Sequence, residues 1–145
     1  MLGPPYGDAV PCLFCEIIAG ERPAHRVLDR EQIVGFLDVR PVFKGHVLLV
    51  PRVHTDQLAD LPTELIEPFF SAVREVAGRL PRALEAHGTF VAMNNVVSQS
   101  VPHLHCHVVP RRRKDGLRGF FWPRTRYTDD AEAASYAARI ATALD

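Results

Sequence analysis

Histidine alternates with apolar residues in the stretch Gln99-Ser100-Val101-Pro102-His103-Leu104-His105-Cys106-His107-Val108-Val109. In an extended strand, side chains two residues apart point to the same face and lie about 7 Å from one another. One face therefore carries the three histidines, and the other carries Leu104, Cys106 and Val108. The sequence predicts a half-buried strand over residues 105–109, ended by Pro110, with Cys106 in the core.

A half-buried strand requires only polar residues on its exposed face. It does not explain why all three polar positions are histidine. Two kinds of chemistry fit a row of imidazoles. One is a metal site, because imidazole is a common zinc ligand. The other is covalent catalysis by a neutral histidine, whose ordinary pKa is about 6.5. Such a histidine attacks phosphorus while its neighbours bind phosphoryl oxygens or protonate the leaving group.

Segments around this stretch predict an α+β fold. Strand patterns come first, then one long helical pattern, then strands again, which favours an antiparallel sheet over alternating βαβ units. The long helix is expected to begin after Pro62 with Thr63 as its N-cap, and to end or kink at Pro81. The other predicted strands cover residues 25–29, 33–38, 46–50 and 89–93, and a final helix over residues 131–144 is capped by Asp129 with Glu132.

Length and composition bound the class of protein. The 145 residues are 47% apolar and 23% charged, which predicts a single globular domain over residues 12–145. Residues 1–11 are rich in glycine and proline and are expected to form a flexible leader. Basic and acidic side chains balance at 17 each, which argues against nucleic acid or a membrane surface as a partner. The first residues lack the pattern of a signal peptide, so the expected location is the cytoplasm.

Cys12 and Cys15 form a CxxC pair, which supplies half of a tetrahedral zinc site. A closed site needs two more ligands, and the histidines are the natural source. Two alternatives stay open at this stage: the cysteines are small buried residues, or they form a redox pair.

Together with two upstream segments, the histidine stretch resembles the histidine-triad (HIT) superfamily. The family signature, three histidines each followed by an apolar residue, matches residues 103–109. The upstream segments are Phe36-Leu37-Asp38-Val39-Arg40-Pro41 and Gly45-His46-Val47-Leu48-Leu49-Val50-Pro51-Arg52. The resemblance extends from about Cys12 to Pro110. It implies a HIT-like fold, in which an antiparallel sheet of about five strands carries one long helix and a C-terminal helix, paired into a homodimer.

The resemblance implies a covalent nucleotidyl-histidine mechanism. His105 attacks the α-phosphorus of a nucleotide, and water or another acceptor then releases the nucleotide. His107 contacts the phosphate and assists the leaving group, His46 orders the site, and Ser100 lies near the leaving group. The implied nucleotide-binding residues are Asp38 for the ribose hydroxyls, Val39 and Ile17 (or its neighbour Ile18) for the base, Asn94 (in preference to Asn95) for the phosphate, and Gln99.

Relatives that retain the CxxC pair imply a structural zinc site. In them, the pair binds zinc with a histidine at the position of His54 and with the first histidine of the triad. The implied ligands in this chain are Cys12, Cys15, His54 and His103.

The resemblance implies a purine nucleotide or dinucleotide as substrate, either a purine nucleoside phosphoramidate or a dinucleoside polyphosphate, acted on by a hydrolase or a nucleotidyl transferase. Two alternatives stay open. One is a phosphorylase that passes the nucleotide to phosphate, and the other is a zinc-stabilised nucleotide-binding or interaction module with little turnover.

A basic and aromatic stretch follows the triad. Seven basic residues lie between Arg111 and Arg126, around Phe120-Phe121-Trp122-Pro123. One interpretation is a flap whose arginines bind additional phosphates, which would favour dinucleoside polyphosphates. The alternative is a solvated loop with its aromatic residues packed on the core, and single-stranded nucleic-acid binding ranks third because the net charge is zero.

Overall fold

The computed structural model describes residues 12–118 and 124–145. The predicted leader over residues 1–11 and the aromatic residues 120–122 of the predicted flap lie outside the described residues. The chain divides into two compact units, a first that ends at Arg113 and a second that runs from Lys114 to Asp145. The single domain over residues 12–145 stays a prediction.

The first unit is built on a five-stranded antiparallel sheet. In chain order its elements are α1 (Leu13–Ile18), β1 (Arg26–Asp29), β2 (Ile33–Leu37), β3 (Val47–Pro51), α2 (Thr63–Leu84), β4 (Gly88–Ala92) and β5 (Cys106–Arg111). The strands are ordered β1-β2-β3-β5-β4, so β5 lies inside the sheet and β4 at its edge. The predicted α+β fold is confirmed.

The two faces of the sheet bury two separate apolar clusters. One cluster joins Leu104, Cys106 and Val108 to side chains of α2 such as Phe69, and Cys106 is fully buried as predicted. The other cluster lies on the opposite face, where Phe14 and Ile17 of α1 pack against alternate residues of β2 and β3. Because side chains alternate along a strand, the histidines of the triad lie on the α1 face.

The structure corrects both predicted boundaries of β5. β5 does not end at Pro110 but continues to Arg111, with Pro110 opposite Thr89 of β4. The β3 ladder reaches only Val47, opposite Val108, so the missing N–H of Pro110 lies where β3 makes no further pair. The predicted start at His105 is one residue early, since β5 begins at Cys106.

The long helix also differs at both ends. Its N-cap is Pro62, and Thr63 is already helical. The helix does not end at Pro81 but continues to Leu84, because Leu80 packs on the core one turn before the end. Glu85 then ends it in the left-handed conformation at φ 55°, with its N–H bonded to the Pro81 carbonyl.

The second unit contains α3 (Asp130–Leu144). The Asp129 side chain accepts from the backbone N–H of Glu132 at 2.8 Å, and Glu132 accepts from the Thr128 N–H at 2.9 Å. The Asp129 bond confirms the predicted cap, and the Glu132 side chain reaches back one residue beyond it, to Thr128. Among the helices that the structure describes, none combines the length and the apolar character needed to span a membrane.

Candidate active site and metal centre

His105 is held as a neutral imidazole with one free nitrogen. Its side chain is 3% exposed, and its Nδ1 donates a hydrogen bond to the His103 carbonyl at 2.7 Å. A carbonyl only accepts, so Nδ1 carries the hydrogen and Nε2 of the neutral ring carries the lone pair. The ring that the triad signature marks as a nucleophile therefore presents an unprotonated nitrogen.

A chain of hydrogen bonds fixes the tautomer of His107 as well. The backbone N–H of Val42 donates to His46 Nδ1 at 3.1 Å, so the hydrogen of the His46 ring lies on Nε2. That Nε2 donates to His107 Nδ1 at 2.9 Å. The hydrogen of the neutral His107 ring therefore lies on Nε2, where it is available to a bound group.

Burial keeps these rings neutral near pH 7. It is the largest cause that lowers the pKa of His46, of His105 and of His107, the last to about 4. For His107, the neighbouring His105 and His46 lower the pKa further, while the Asp38 carboxylate raises it. One carboxylate oxygen of Asp38 and one ring nitrogen each of His46 and His107 lie within 4.8 Å of one another. The site thus holds two neutral imidazoles side by side, His105 with an unprotonated Nε2 and His107 with a protonated one.

This electrostatic balance makes a prediction for His107. We expect its ring to stay neutral well below the ordinary pKa of about 6.5, because burial penalises the imidazolium. Replacing Asp38 with asparagine should lower its pKa further, since the carboxylate is the charge that favours protonation. The measurement is an NMR titration of the His107 ring carbons. A midpoint near the ordinary histidine pKa of about 6.5 would contradict the prediction.

Phe14 is a site residue that the sequence analysis missed. Its ring packs edge-on against His105, with centroids 5.0 Å apart, and against His103 at 6.0 Å. It is therefore part of the apolar wall that desolvates both histidines. The signal was present, because Phe14 lies inside the Cys12-x-x-Cys15 motif that was assigned to the same region as His103.

The predicted nucleotide-binding residues on the α1 side differ in exposure. Asp38 follows β2, and its two oxygens lie 2.8 Å from the Arg40 backbone nitrogen and 3.7 Å from His46 Nε2. Val39, the next residue, is 89% exposed, whereas Ile17 is 7% exposed within the α1 cluster. Ile18 is partly buried beside that cluster.

The remaining predicted residues lie in the loop between β4 and the triad. Asn94 Nδ2 donates to the Ser98 carbonyl at 3.3 Å, whereas Asn95 Oδ1 accepts from the Leu58 backbone N–H at 2.8 Å. Gln99 uses both ends of its amide within the protein, accepting from the Val96 N–H at 3.2 Å and donating to the Asp56 carbonyl at 2.5 Å. Ser100 is exposed.

Four side chains from three parts of the chain form a candidate metal centre. The ligand atoms of Cys12, Cys15, His54 and His103 all lie within 4.8 Å of one another. Cys12 Sγ lies 3.4 Å from His103 Nδ1, and Cys15 Sγ lies 3.2 Å from His54 Nδ1 and 3.5 Å from His103 Nδ1. Zinc bonded to sulfur at about 2.3 Å and to nitrogen at about 2.0 Å separates its ligands by about 3.3–3.8 Å, so the spacing fits a tetrahedral ion.

Outer hydrogen bonds orient both histidines of this centre. His103 Nε2 donates to the Pro51 carbonyl at 2.8 Å, and His54 Nε2 bonds to the Asp56 carboxylate at 2.7 Å. Each bond leaves the Nδ1 lone pair directed at the cysteines, which is the arrangement typical of metal-ligating histidines. Burial and the adjacent Cys12 raise the pKa of the Cys15 thiol to about 11. A bound cation is the usual means of stabilising two neighbouring thiolates.

The structure corrects the flap interpretation at one arginine. Arg112 Nη2 donates to the Leu84 carbonyl at 2.6 Å, at the C-terminal end of α2. This guanidinium therefore lies on the α2 side of the sheet, whereas the triad histidines lie on the α1 side. The backbone N–H of Arg113 donates to His87 Nδ1 at 3.1 Å. The flap interpretation expected the arginines to bind phosphates beside the triad. For Arg112 this is wrong, because its side chain bonds to the end of α2.

The fold and the site place this chain in a known family. The sequence model of the HIT domain family matches residues 19–114, a range that includes His46, His54 and the triad. The chain therefore belongs to the HIT domain family, as the resemblance predicted. It is 35% identical over 120 residues to an adenosine 5'-monophosphoramidase of Saccharomyces cerevisiae, a match that covers 81% of this chain and 73% of that protein.

Solved structures with the same fold include a HIT family member from Bacillus subtilis. It superimposes with a TM-score of 0.81 at 32% identity, over 91% of this chain and 96% of that one. A Zn-bound histidine triad family protein from Mycobacterium smegmatis superimposes with a TM-score of 0.68 at 35% identity, over 89% of this chain and 97% of that one.

Proposed function

We propose that this protein cleaves purine nucleoside phosphoramidates at the α-phosphorus through a covalent nucleotidyl intermediate on His105. The observation that carries the proposal is the pair of opposite tautomers, an unprotonated Nε2 on His105 beside a protonated Nε2 on His107. Their ring centroids lie 5.0 Å apart, which is close enough to serve one phosphoryl group. The relationship to an adenosine 5'-monophosphoramidase supports the choice of reaction.

In the first proposed step, the Nε2 lone pair of His105 forms a bond to the α-phosphorus. The bond between phosphorus and the leaving nitrogen breaks, and the leaving nitrogen takes its electron pair together with a proton from solvent, while His107 Nε2–H donates a hydrogen bond to a phosphoryl oxygen. The His105 ring becomes positively charged in this step. The His103 carbonyl, which accepts from Nδ1–H at 2.7 Å, stabilises that charge.

In the second step, water attacks the same phosphorus. The attacking water gives up a proton to solvent, and His107 Nε2–H keeps its hydrogen bond to the phosphoryl oxygen. The bond between phosphorus and His105 breaks, and its electron pair returns to His105 Nε2. The net change is hydrolysis of a phosphoramidate to a nucleoside monophosphate and an amine. Asp38, beside His46, is the proposed partner of the ribose hydroxyls, with Val39 exposed toward the base.

Two observations favour a phosphoramidate over a dinucleoside polyphosphate. The phosphoramidase relative is one, and the other is that Arg112 bonds the end of α2, so it is not available for a second nucleotide's phosphates. An arginine contact to phosphate contributes roughly 1.5–3 kcal/mol, about tenfold or more in specificity. Without that contact, we expect kcat/KM for diadenosine tetraphosphate not to exceed that for adenosine 5'-phosphoramidate.

The test is a turnover screen with both substrates, with nucleotide sugars as a third class. Arg112→Ala is the matched variant: we expect it to change kcat/KM for the two adenosine substrates by the same factor, because its guanidinium holds the helix end. A polyphosphate preference that disappears selectively in Arg112→Ala would overturn the substrate assignment. Release of nucleotide only in the presence of inorganic phosphate would favour a phosphorylase.

We further propose that Cys12, Cys15, His54 and His103 bind a structural zinc ion. The proposal rests on the ligand spacing, on the Nδ1 lone pairs directed at the cysteines, and on a Zn-bound relative at 35% identity. With four protein ligands the site is closed, so its chemistry is stabilisation and not activation of water. The homodimer and the cytoplasmic location stay predictions.

A further inference from the structure

The loop that leads into the triad is held in an unfavourable backbone conformation. Within this approach loop, defined here as residues 94–100, Val96 has φ 68° and Ser98 has φ 62°. Positive φ is uncommon for any residue with a side chain and is a genuine outlier for a β-branched residue such as Val96. The backbone N–H of Val97 reaches back to the Asn95 carbonyl at 2.8 Å across the strained residue. Such a loop persists only when contacts outside it hold it in place.

Those outside contacts come from one short piece of chain, which also carries a ligand of the candidate metal centre. In this ligand segment, defined here as residues 54–58, the Asp56 carbonyl accepts from Gln99 Nε2 and the Leu58 N–H donates to Asn95 Oδ1. A third bond joins the Leu104 N–H to the Thr55 carbonyl at 2.6 Å. The approach loop and the start of the triad are therefore both attached to the ligand segment.

Asp56 bonds both to the candidate metal centre and to the approach loop. Its carboxylate bonds His54 Nε2 at 2.7 Å and so orients the Nδ1 that lies 3.2 Å from Cys15 Sγ. Its carbonyl accepts the Gln99 amide. Gln99 in turn accepts the N–H of the strained Val96 through its other amide atom. A continuous series of bonds thus runs from Cys15 through His54, Asp56 and Gln99 to the backbone that precedes Ser100.

We propose that Gln99 is a positioning residue that couples metal binding at His54 to the conformation of the approach loop beside the active site. The proposal rests on the proposed function, since it takes the metal as zinc and the loop as the leaving-group side of the reaction. Coupling between two sites is reciprocal: if the metal orders the loop, then holding the loop also retains the metal. In this role Gln99 acts through Asp56, whereas the sequence analysis expected it to contact the nucleotide.

Gln99→Glu separates the two halves of this amide. The carboxylate keeps an acceptor for the Val96 N–H but loses the donor to the Asp56 carbonyl, so only the attachment to the ligand segment is cut. A hydrogen bond of this kind changes an equilibrium by up to about tenfold. We expect zinc release from the purified holoprotein to a chromogenic chelator to be about tenfold faster, with shifted backbone amide resonances at Val96 and Ser98. Gln32→Glu, an exposed change of the same charge between β1 and β2, should leave both unchanged.

A second pair of variants, at Asn95, tests whether the new negative charge alone disturbs the fold. Asn95→Asp keeps the Oδ1 acceptor for the Leu58 N–H and should release zinc as slowly as the wild type, whereas Asn95→Ala should release it several times faster. Circular dichroism confirms that each variant is folded. Zinc release and amide shifts are measured without substrate. If the wild-type protein showed no phosphoramidase turnover, the proposed function would be wrong, but this test of the coupling would still apply. Shifted loop amides with an unchanged zinc-release rate in Gln99→Glu, or no change in either, would overturn the coupling.

Discussion

Replacing His105 with asparagine should lower turnover of adenosine 5'-phosphoramidate by a factor on the order of 10⁴ or more. Asparagine keeps a hydrogen-bond donor for the His103 carbonyl but has no nitrogen lone pair that can attack phosphorus. Binding of adenosine monophosphate should stay within a few-fold of wild type, because the proposed ribose and base contacts do not involve His105. The measurements are steady-state kinetics and calorimetric binding.

The matched control is His25→Asn, the same substitution at an exposed histidine on a different part of the first unit. It should retain wild-type kinetics. Chemical quench of the wild-type reaction, followed by mass spectrometry of peptides, should locate a nucleotidyl group on His105 and on no other histidine. Wild-type rates in His105→Asn, or an adduct on His107, would remove His105 from the role of nucleophile.

Alternation of residue types was sufficient to predict the sheet and its two faces. Leu104, Cys106 and Val108 are fully buried against α2, and the histidines between them lie on the other face, because a strand offers only those two directions. The four residues of the metal centre were also predicted by type and motif, although they come from separate parts of the chain. Family resemblance supplied that grouping, since spacing alone left burial or a redox pair open for the cysteines.

What the sequence could not predict is set by backbone groups and long-range contacts. The tautomer of His107 depends on the Val42 N–H, which is 65 positions away in the chain and carries no side-chain signal. Gln99 matched a family motif, but its partner is a main-chain carbonyl whose position only the fold determines. Arginine is a residue type that often binds phosphate, yet the side chain of Arg112 bonds to the carbonyl of Leu84 at the end of α2. α2 itself passes Pro81, because core packing of Leu80 outweighs the lost hydrogen bond.

Elemental analysis of protein purified without added metal should find one zinc per chain. Cys12→Ser and Cys15→Ser should each abolish that zinc and lower the melting temperature by about 10 °C, since metal binding to a folded site adds directly to folding free energy. Cys106→Ala is the informative control, because Cys106 lies in the α2 cluster, away from the candidate metal centre. It should destabilise the protein through a cavity while retaining a full equivalent of zinc.

Chelation separates a structural ion from a catalytic one. The candidate ligands lie at the start of α1, on the ligand segment and at the start of the triad, so a bound ion would join three parts of the first unit that are distant in sequence. Its removal should therefore lower the melting temperature more than it lowers the rate measured well below that temperature, where the protein is still folded. A catalytic ion would behave in the opposite way, with the rate lost before the fold. Less than about a tenth of an equivalent of zinc in the wild type, with Cys12→Ser as stable as wild type, would instead make the CxxC pair ordinary buried residues.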